Sequence, residues 1–168
     1  MTTLNIVGGT IIDATTTKDG RRADVHVVDG RIVAVVEPGG ALPETATVLD
    51  ASGAVVCPGF VDLHTHLREP GREESETIET GSRAAALGGY TAVVAMPNTD
   101  PAQDSRAVVE FVREQGRRAG LCEVVPSGCI TVGRAGEQLV AYAELMKSGV
   151  RLFTDRKSTR LNSSHLVI

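Results

Sequence analysis

The chain has few cysteines, and they do not form the pattern of a disulfide-rich or thiolate zinc protein. Cys57, Cys122 and Cys129 are odd in number, widely spaced and contain no Cys-x-x-Cys pair. Such a set predicts neither a disulfide framework nor a zinc site built from thiolates. Our interpretation is that these side chains fill small apolar spaces in a reducing compartment.

Long apolar runs and a surplus of positive charge are also missing. No apolar run approaches the ~20 residues of a membrane span, and Met1–Gly9 lacks the basic start and apolar core of a signal peptide. The net charge of -4 argues against nucleic acid or an anionic membrane surface as the main partner. A hydrophobic content of 42% with 23% charged residues is typical of a soluble globular protein. The sequence therefore predicts a cytoplasmic protein.

Residues 1–56 carry the signals of short strands and turns. Asp29-Gly30 separates two apolar runs, Ala23–Val28 and Arg31–Val36, and this dipeptide favours a two-residue hairpin turn. His26 alternates within the hairpin and is interpreted as a structural residue. We expect a small, β-sandwich-like all-β domain over this range.

From residue 57 the pattern changes to alternating strands and helices. The predicted strands after the first are Tyr90–Met96, Leu121–Val125 (with Ile130–Val132 as an extension) and Val150–Phe153. The predicted helices run from about Ser75 to Gly88, from Ser105, and from Glu137 to Lys147. Apolar strands that alternate with helices predict a parallel sheet covered by helices. A (β/α)₈ TIM barrel needs ~250 residues, so 57–155 corresponds to about its first half.

The first strand of this part ends in a polar pattern. Asp62, His64 and His66 stand at i, i+2 and i+4, positions that a strand directs to one face. Two imidazoles there can reach one metal ion, and Asp62 can ligate it or orient a histidine. The alternative is a pair of surface or hydrogen-bonded core histidines. Arg68 follows, with a planar guanidinium suited to a substrate carboxylate.

Three stretches carry a resemblance to a known family. They are PGFVDLHTHLREPG at 58–71, MPNT at 96–99 and GVRLFTD at 149–155. In this order they resemble the motifs of the amidohydrolase superfamily, in the form carried by dihydroorotases. The small β domain before the barrel resembles the accessory domain of that superfamily.

The resemblance implies a zinc-dependent, reversible cyclisation of N-carbamoyl-L-aspartate to L-dihydroorotate in pyrimidine biosynthesis, with one or two Zn²⁺ ions. It assigns metal binding to His64, His66 and Asp155, and substrate binding to His66, Arg68 and Asn98. Asp155 can alternatively be a turn residue or helix cap at a strand end, and Asn98 a turn residue after Pro97. The resemblance also allows a partnership with aspartate transcarbamoylase.

Two other functions remain open. Allantoinases and dihydropyrimidinases share the His-x-His pattern, and a non-catalytic dihydroorotase-like subunit would scaffold aspartate transcarbamoylase. In dihydroorotases, two further histidine ligands and the acid/base aspartate come from later barrel strands, so no catalytic residue is assigned here. We therefore expect this chain by itself to be inactive, and to aggregate because its fourth strand would be an open edge of the sheet.

The last thirteen residues depart from the family pattern. Arg156 stands where the family has a second acid, and 156–168 is basic, rich in hydroxyls and without helical or strand periodicity. The segment resembles translated vector sequence. We expect 156–168 to be unrelated to the rest of the chain.

Overall fold

The structure is a computed structural model that describes residues 2–15, 19–43 and 46–155 and the backbone of 166–167. The chain divides into two compact units, Met1–Pro58 and Gly59–Ile168.

The first unit is a five-stranded sheet. Its strands are β1 (Thr3–Ile11), β2 (Arg21–Val28), β3 (Arg31–Val36), β4 (Thr47–Asp50) and β5 (Val55–Val56). The order is β3-β2-β1-β4, and β5 also pairs with β1. The predicted hairpin is present: Asp29 and Gly30 adopt φ values of 46° and 75° between β2 and β3. Both values are positive, as a type I′ turn requires.

Two polar side chains of this sheet are buried and hydrogen-bonded. His26 is buried, and its Nδ1 lies 2.6 Å from Asn5 Oδ1, which agrees with the predicted structural role. Asp24 is also buried and accepts hydrogen bonds of 2.8 Å from the backbone N–H groups of Gly8 and Gly39. Because these bonds stabilise the ionised form, they hold the pKa of Asp24 below its ordinary value.

The second unit has the predicted alternation of strands and helices. Its elements are β6 (Phe60–Thr65), α1 (Ile78–Leu87), β7 (Tyr90–Ala95), α2 (Arg106–Ala119), β8 (Glu123–Pro126), α3 (Tyr142–Lys147) and β9 (Leu152–Phe153). Strands β6, β7 and β8 are neighbours in that order and parallel, as predicted. A parallel bridge between Gly128 and Phe153 places β9 beside the segment that follows β8.

The first two helices of this unit begin close to the predicted positions, and they pack on the sheet through small and branched side chains. Thr77 and Thr80 form a reciprocal capping box at the start of α1. On α2, Val112 is fully buried against the strands. Gly116 permits a close approach there, since a Cβ atom at this position would lie 2.5 Å from Val124 Cβ.

Three predictions about secondary structure are wrong. The third helix covers only Tyr142–Lys147. The residues just before it form backbone hydrogen bonds with 130–132 instead: Val132 N donates to Gln138 O, and Val140 N donates to Ile130 O. Residues 132–134 form a 3₁₀ turn rather than an extension of β8. Near the end of the chain, Leu166–Val167 forms a short strand, β10, antiparallel to β9, where no periodicity was expected. The other residues of 156–168 lie outside the described part.

Within the described part of the chain, no helix has both the length and the apolar character that crossing a membrane requires.

Candidate metal and substrate site

His64 and His66 lie at the C-terminal end of β6, and their rings are in contact. The ring centroids are 5.3 Å apart in an edge-to-face arrangement, with His64 exposed and His66 partly buried. The alternation of the strand is interrupted here, since Asp62 pairs with Val93 but Thr65 pairs with Ala95. That step takes three residues on β6 and two on β7, which is the count of a β-bulge. The two rings thus meet although the strand is not regular.

Asp62 contacts the backbone of His64, and its role as a metal ligand or as an orienting group for a histidine stays a prediction. Its Oδ1 accepts a 2.9 Å hydrogen bond from the backbone N–H of His64, two residues ahead. Such a local bond replaces a ladder contact and helps to hold the bulge. We therefore assign Asp62 to the backbone geometry that brings the two imidazoles together.

Asn98 orients the ring of His66. His66 Nδ1 lies 2.8 Å from Asn98 Oδ1. With Asn98 Oδ1 facing the ring, Nδ1 is the donor and the lone pair lies on Nε2, because an amide oxygen can only accept. A hydrogen bond of this kind on one ring nitrogen is how proteins direct the other nitrogen toward a metal ion.

The loop with Arg68 and the loop with Asn98 lie against each other. Asp100 N donates to Pro70 O at 3.0 Å. Gly71 has a φ of 102°, and a Cβ atom there would collide with the backbone oxygen of Asp100. This contact explains the Pro70-Gly71 pair in physical terms, because only glycine combines that φ with so close an approach.

Arg68 has an unusual backbone and a partly buried side chain. Its φ of 62° lies in the left-handed region, which L-residues rarely adopt. Within the described residues, the arginine ion pairs involve Arg83, Arg106, Arg117 and Arg118, and none involves Arg68. Arg68 therefore keeps a cationic fork that can bind a carboxylate.

Asp155 is buried and hydrogen-bonded to the loop after β8. Its Oδ1 accepts from the backbone N–H groups of Ile130 and Thr131 at 2.8 and 3.0 Å, and its Oδ2 accepts from Thr131 Oγ1 at 2.6 Å. No group of three or more His, Cys, Asp or Glu among the described residues is arranged to hold a metal ion. The structure thus brings His64 and His66 together but does not complete a cluster with Asp155.

The histidine pair can supply two of the four ligands of a zinc ion. Zinc in proteins is bound tetrahedrally by imidazole, carboxylate and thiolate groups, and imidazoles also suit other divalent transition metals. His64 and His66 supply two such groups, one of them with its tautomer determined by Asn98. Further donors must come from other residues of the protein.

Two residues that hold this end of the sheet together were not identified from the sequence. Thr131 is buried and donates to Asp155, and Gln103 is buried and donates from Nε2 to Met96 O at 2.8 Å. Both lie in loops and join segments distant in sequence. No local periodicity or turn signal marks them, so sequence patterns alone could not reveal them.

Cys129 is inert in this environment. Its side chain is fully buried, and burial raises the pKa of the thiol to about 12, with Asp104 and Asp155 contributing in the same direction. It fills space, as predicted, whereas Cys57 is exposed and so does not fit that interpretation.

Comparison with known proteins identifies the family. A family model described as dihydro-orotase-like matches residues 53–165. Dihydroorotase from Mycobacterium tuberculosis is 56% identical over 140 residues, covering 82% of this chain and 32% of its own length. Dihydroorotase from Aquifex aeolicus is 40% identical over 164 residues, covering 98% of this chain and 38% of its own length.

Solved structures show the same fold. The L-hydantoinase (dihydropyrimidinase) of Arthrobacter aurescens superimposes with a TM-score of 0.72 at 22% identity, over 91% of this chain and 32% of that chain. A D-hydantoinase superimposes with a TM-score of 0.56 at 27% identity, over 77% of this chain and 27% of that chain. The chain belongs to the dihydro-orotase-like family, and it spans about a third of the length of the curated relatives it matches.

Proposed function

We propose that the protein to which this chain belongs is a dihydroorotase, which interconverts N-carbamoyl-L-aspartate and L-dihydroorotate in pyrimidine biosynthesis. The observation that carries the proposal is the 56% identity to the Mycobacterium tuberculosis dihydroorotase over most of this chain. The contact between His64 and His66 and the cationic fork of Arg68 support it chemically.

In this proposal the chain contributes metal and substrate ligands. His64 and His66 hold zinc, and Asp155 stays a predicted ligand whose lone pairs are now directed to Ile130 and Thr131. Bound zinc would polarise an amide carbonyl and lower the pKa of a coordinated water to about 7. Arg68 binds a substrate carboxylate through two parallel hydrogen bonds, and Asn98 and His66 contact the same part of the substrate.

We also propose how the two units fit the whole protein. Residues 1–56 form the accessory β domain, and 57–155 form the first half of a (β/α)₈ TIM barrel. The parallel order β6-β7-β8, with β9 next to the segment after β8, supports this assignment. Because the curated relatives are about three times as long, ring closure requires residues that this chain does not contain, and we expect the chain by itself to be inactive.

The tail remains a separate proposal. The family match extends to residue 165 and so gives no boundary at Asp155, where the sequence predicted one. If 156–168 derives from vector sequence, the source genome will encode different residues after Asp155. A continuous genomic frame with these thirteen residues would refute it.

A second function is favoured by the structural comparison. The two solved structures compared above are an L-hydantoinase (dihydropyrimidinase) and a D-hydantoinase. The decisive experiment assays the whole protein, expressed from its own locus, with carbamoyl aspartate, dihydroorotate, hydantoin and allantoin. Turnover of the first two that a chelator abolishes and Zn²⁺ restores supports a dihydroorotase. Turnover of hydantoin or allantoin alone supports the second function, and no turnover supports a non-catalytic subunit.

Variants of the same protein test the roles of the residues. His64→Ala should lose both zinc and activity, because one of the two imidazoles in contact is removed. Arg68→Lys should raise KM for carbamoyl aspartate more than it lowers kcat, since a point charge replaces a bidentate donor. Arg72→Lys, in the same loop, is the matched control. Co-purification with aspartate transcarbamoylase and fractionation with cytoplasmic markers test the predicted partner and location.

A further inference from the structure

We propose that Gln103 is a positioning residue for the candidate metal site: its buried amide holds the loop through which Asn98 orients His66. The inference rests on the proposed function only in assigning His66 to the metal. It concerns a side chain that sequence patterns did not identify and that lies outside the motifs described above.

The first observation is the set of bonds around Gln103. Its side chain is fully buried, and Nε2 donates to Met96 O at 2.8 Å. Its backbone N–H donates to Pro97 O at 3.2 Å. Gln103 therefore holds the carbonyl groups of the two residues that immediately precede Asn98.

The second observation is that further backbone hydrogen bonds of Met96 and Gln103 connect the ends of three strands. Met96 N donates to Thr65 O at 2.9 Å, next to His66, and Cys129 N donates to Gln103 O at 3.0 Å, in the segment after β8. A continuous path of hydrogen bonds thus runs from the end of β6 through the Asn98 loop to the loop after β8. His66 and Asn98 extend from this path and meet at 2.8 Å.

The third observation explains why an amide occupies the position. Gln103 Oε1 is buried without a hydrogen-bond partner among the described residues, which is unfavourable. An apolar side chain of similar size would avoid that cost, so the Nε2 bond to Met96 O is the feature that distinguishes glutamine here. Met96 O lies beyond the last pairing of β7 with β8, at Ala95 and Pro126, and the ladder does not satisfy it.

These contacts give Gln103 a specific effect. With the peptide entering Asn98 fixed on both carbonyls, the Asn98 amide stays in reach of His66 Nδ1 and maintains the tautomer with the lone pair on Nε2. When the Nε2 bond is lost, Asn98 moves away and the population of the other His66 tautomer increases.

The test measures the tautomer directly, without metal or substrate. The whole protein, expressed from its own locus and freed of metal by a chelator, is labelled with ¹⁵N-histidine, and long-range ¹H–¹⁵N spectra report which ring nitrogen of His66 carries the proton. Wild type should show the proton on Nδ1. Gln103→Met, which keeps the length but removes the donor, should shift His66 toward the form protonated on Nε2. Asn98→Ala should produce the same shift.

Two further variants separate positioning from general loosening. Val112→Ala removes volume at a fully buried position of the helix–sheet core and should leave the His66 signature unchanged. Gln103→Glu, neutral when buried, can donate from its carboxyl O–H to Met96 O and should retain the wild-type signature. An unchanged tautomer in Gln103→Met overturns the proposal, and so does an equal shift in Val112→Ala or a shift in Gln103→Glu.

The outcome is independent of the reaction. If the whole protein fails to turn over carbamoyl aspartate while the Gln103→Met shift is present, the proposed function fails and the positioning role stands. If turnover is present and the shift is absent, the positioning role alone fails.

Discussion

Thr131 Oγ1 lies 2.6 Å from Asp155 Oδ2, inside the protein, and the backbone N–H of Thr131 donates to the other oxygen of the same carboxylate. Thr131 Oγ1 also accepts from Gly136 N at 2.9 Å. Asp155 therefore determines the conformation of the loop after β8, whatever else it binds in the whole protein.

Removing the Asp155 carboxylate should destabilise the second unit. Asp155→Ala leaves the buried N–H and hydroxyl of Thr131 and the partly buried N–H of Ile130 unpaired, so we expect the free energy of unfolding to fall by about 3 kcal/mol. Thr131→Val should lower the free energy of unfolding by about 1–2 kcal/mol. Urea denaturation measures both. Asp104→Ala is the control, because among the described residues Asp104 accepts a single hydrogen bond, from Gly133 N near the surface. Equal losses of stability for the two aspartate variants would refute the role.

The left-handed backbone of Arg68 predicts an unusual order of stability among variants at this position. At a φ of 62°, glycine should be more stable than alanine by about 1 kcal/mol, although both remove the guanidinium. Arg72, outside the left-handed region, provides the control, and there alanine should be at least as stable as glycine. Chemical denaturation of the four variants checks this. If Arg68→Ala is more stable than Arg68→Gly, the assigned conformation is wrong.

The pKa of Asp24 predicts acid sensitivity of the first unit. Hydrogen bonds from Gly8 N and then Gly39 N lower this pKa from its ordinary value of 3.8. A lowered folded-state pKa adds stability above the unfolded value, and that stability is lost as the pH falls below about 4. Asp24→Asn should be less stable at neutral pH and show a flatter decline in acid.

Denaturation of the first-unit sheet, followed by circular dichroism between about pH 2 and 7, measures this dependence. Glu37→Gln removes one negative charge from an exposed side chain and serves as the control. A decline in Asp24→Asn as steep as in wild type would assign the acid sensitivity to other groups.

The edge strand β6 predicts self-association of the isolated chain. Within the described residues β6 pairs only with β7, and Val61 and Leu63 are 55% and 63% exposed. Leu63→Lys should weaken association about ten-fold, because burial of one leucine contributes about 1.5–3 kcal/mol. Sedimentation velocity measures the change. Leu87→Lys, at an 86% exposed position on α1, is the control; a monomeric wild type would contradict the prediction.

Several features of the fold were predictable because their causes are local. The Asp29-Gly30 turn, the cap at Thr77 and the start of α2 after Ser105 all depend on residues within one turn of the chain. The third helix was predicted too long, because the apolar pattern of 137–141 is compatible with helix while hydrogen bonds to 130–132 draw these residues into another structure. Those bonds come from a neighbouring loop, which no periodicity describes.

For the site, the sequence alone identified the residue types and their order: two histidines two positions apart, an arginine two positions later, an asparagine after the next strand and an aspartate at the end of the fourth. Spacing along one strand indicates the histidine pair, and the resemblance to the dihydroorotase motifs implies the roles of the arginine, the asparagine and the aspartate. Only the tertiary structure decided that Asp62 holds a bulge, that Asn98 orients His66, and that Asp155 anchors Thr131. These roles depend on which backbone groups are left unpaired where strands end, and that is determined by the packing of segments far apart in the chain.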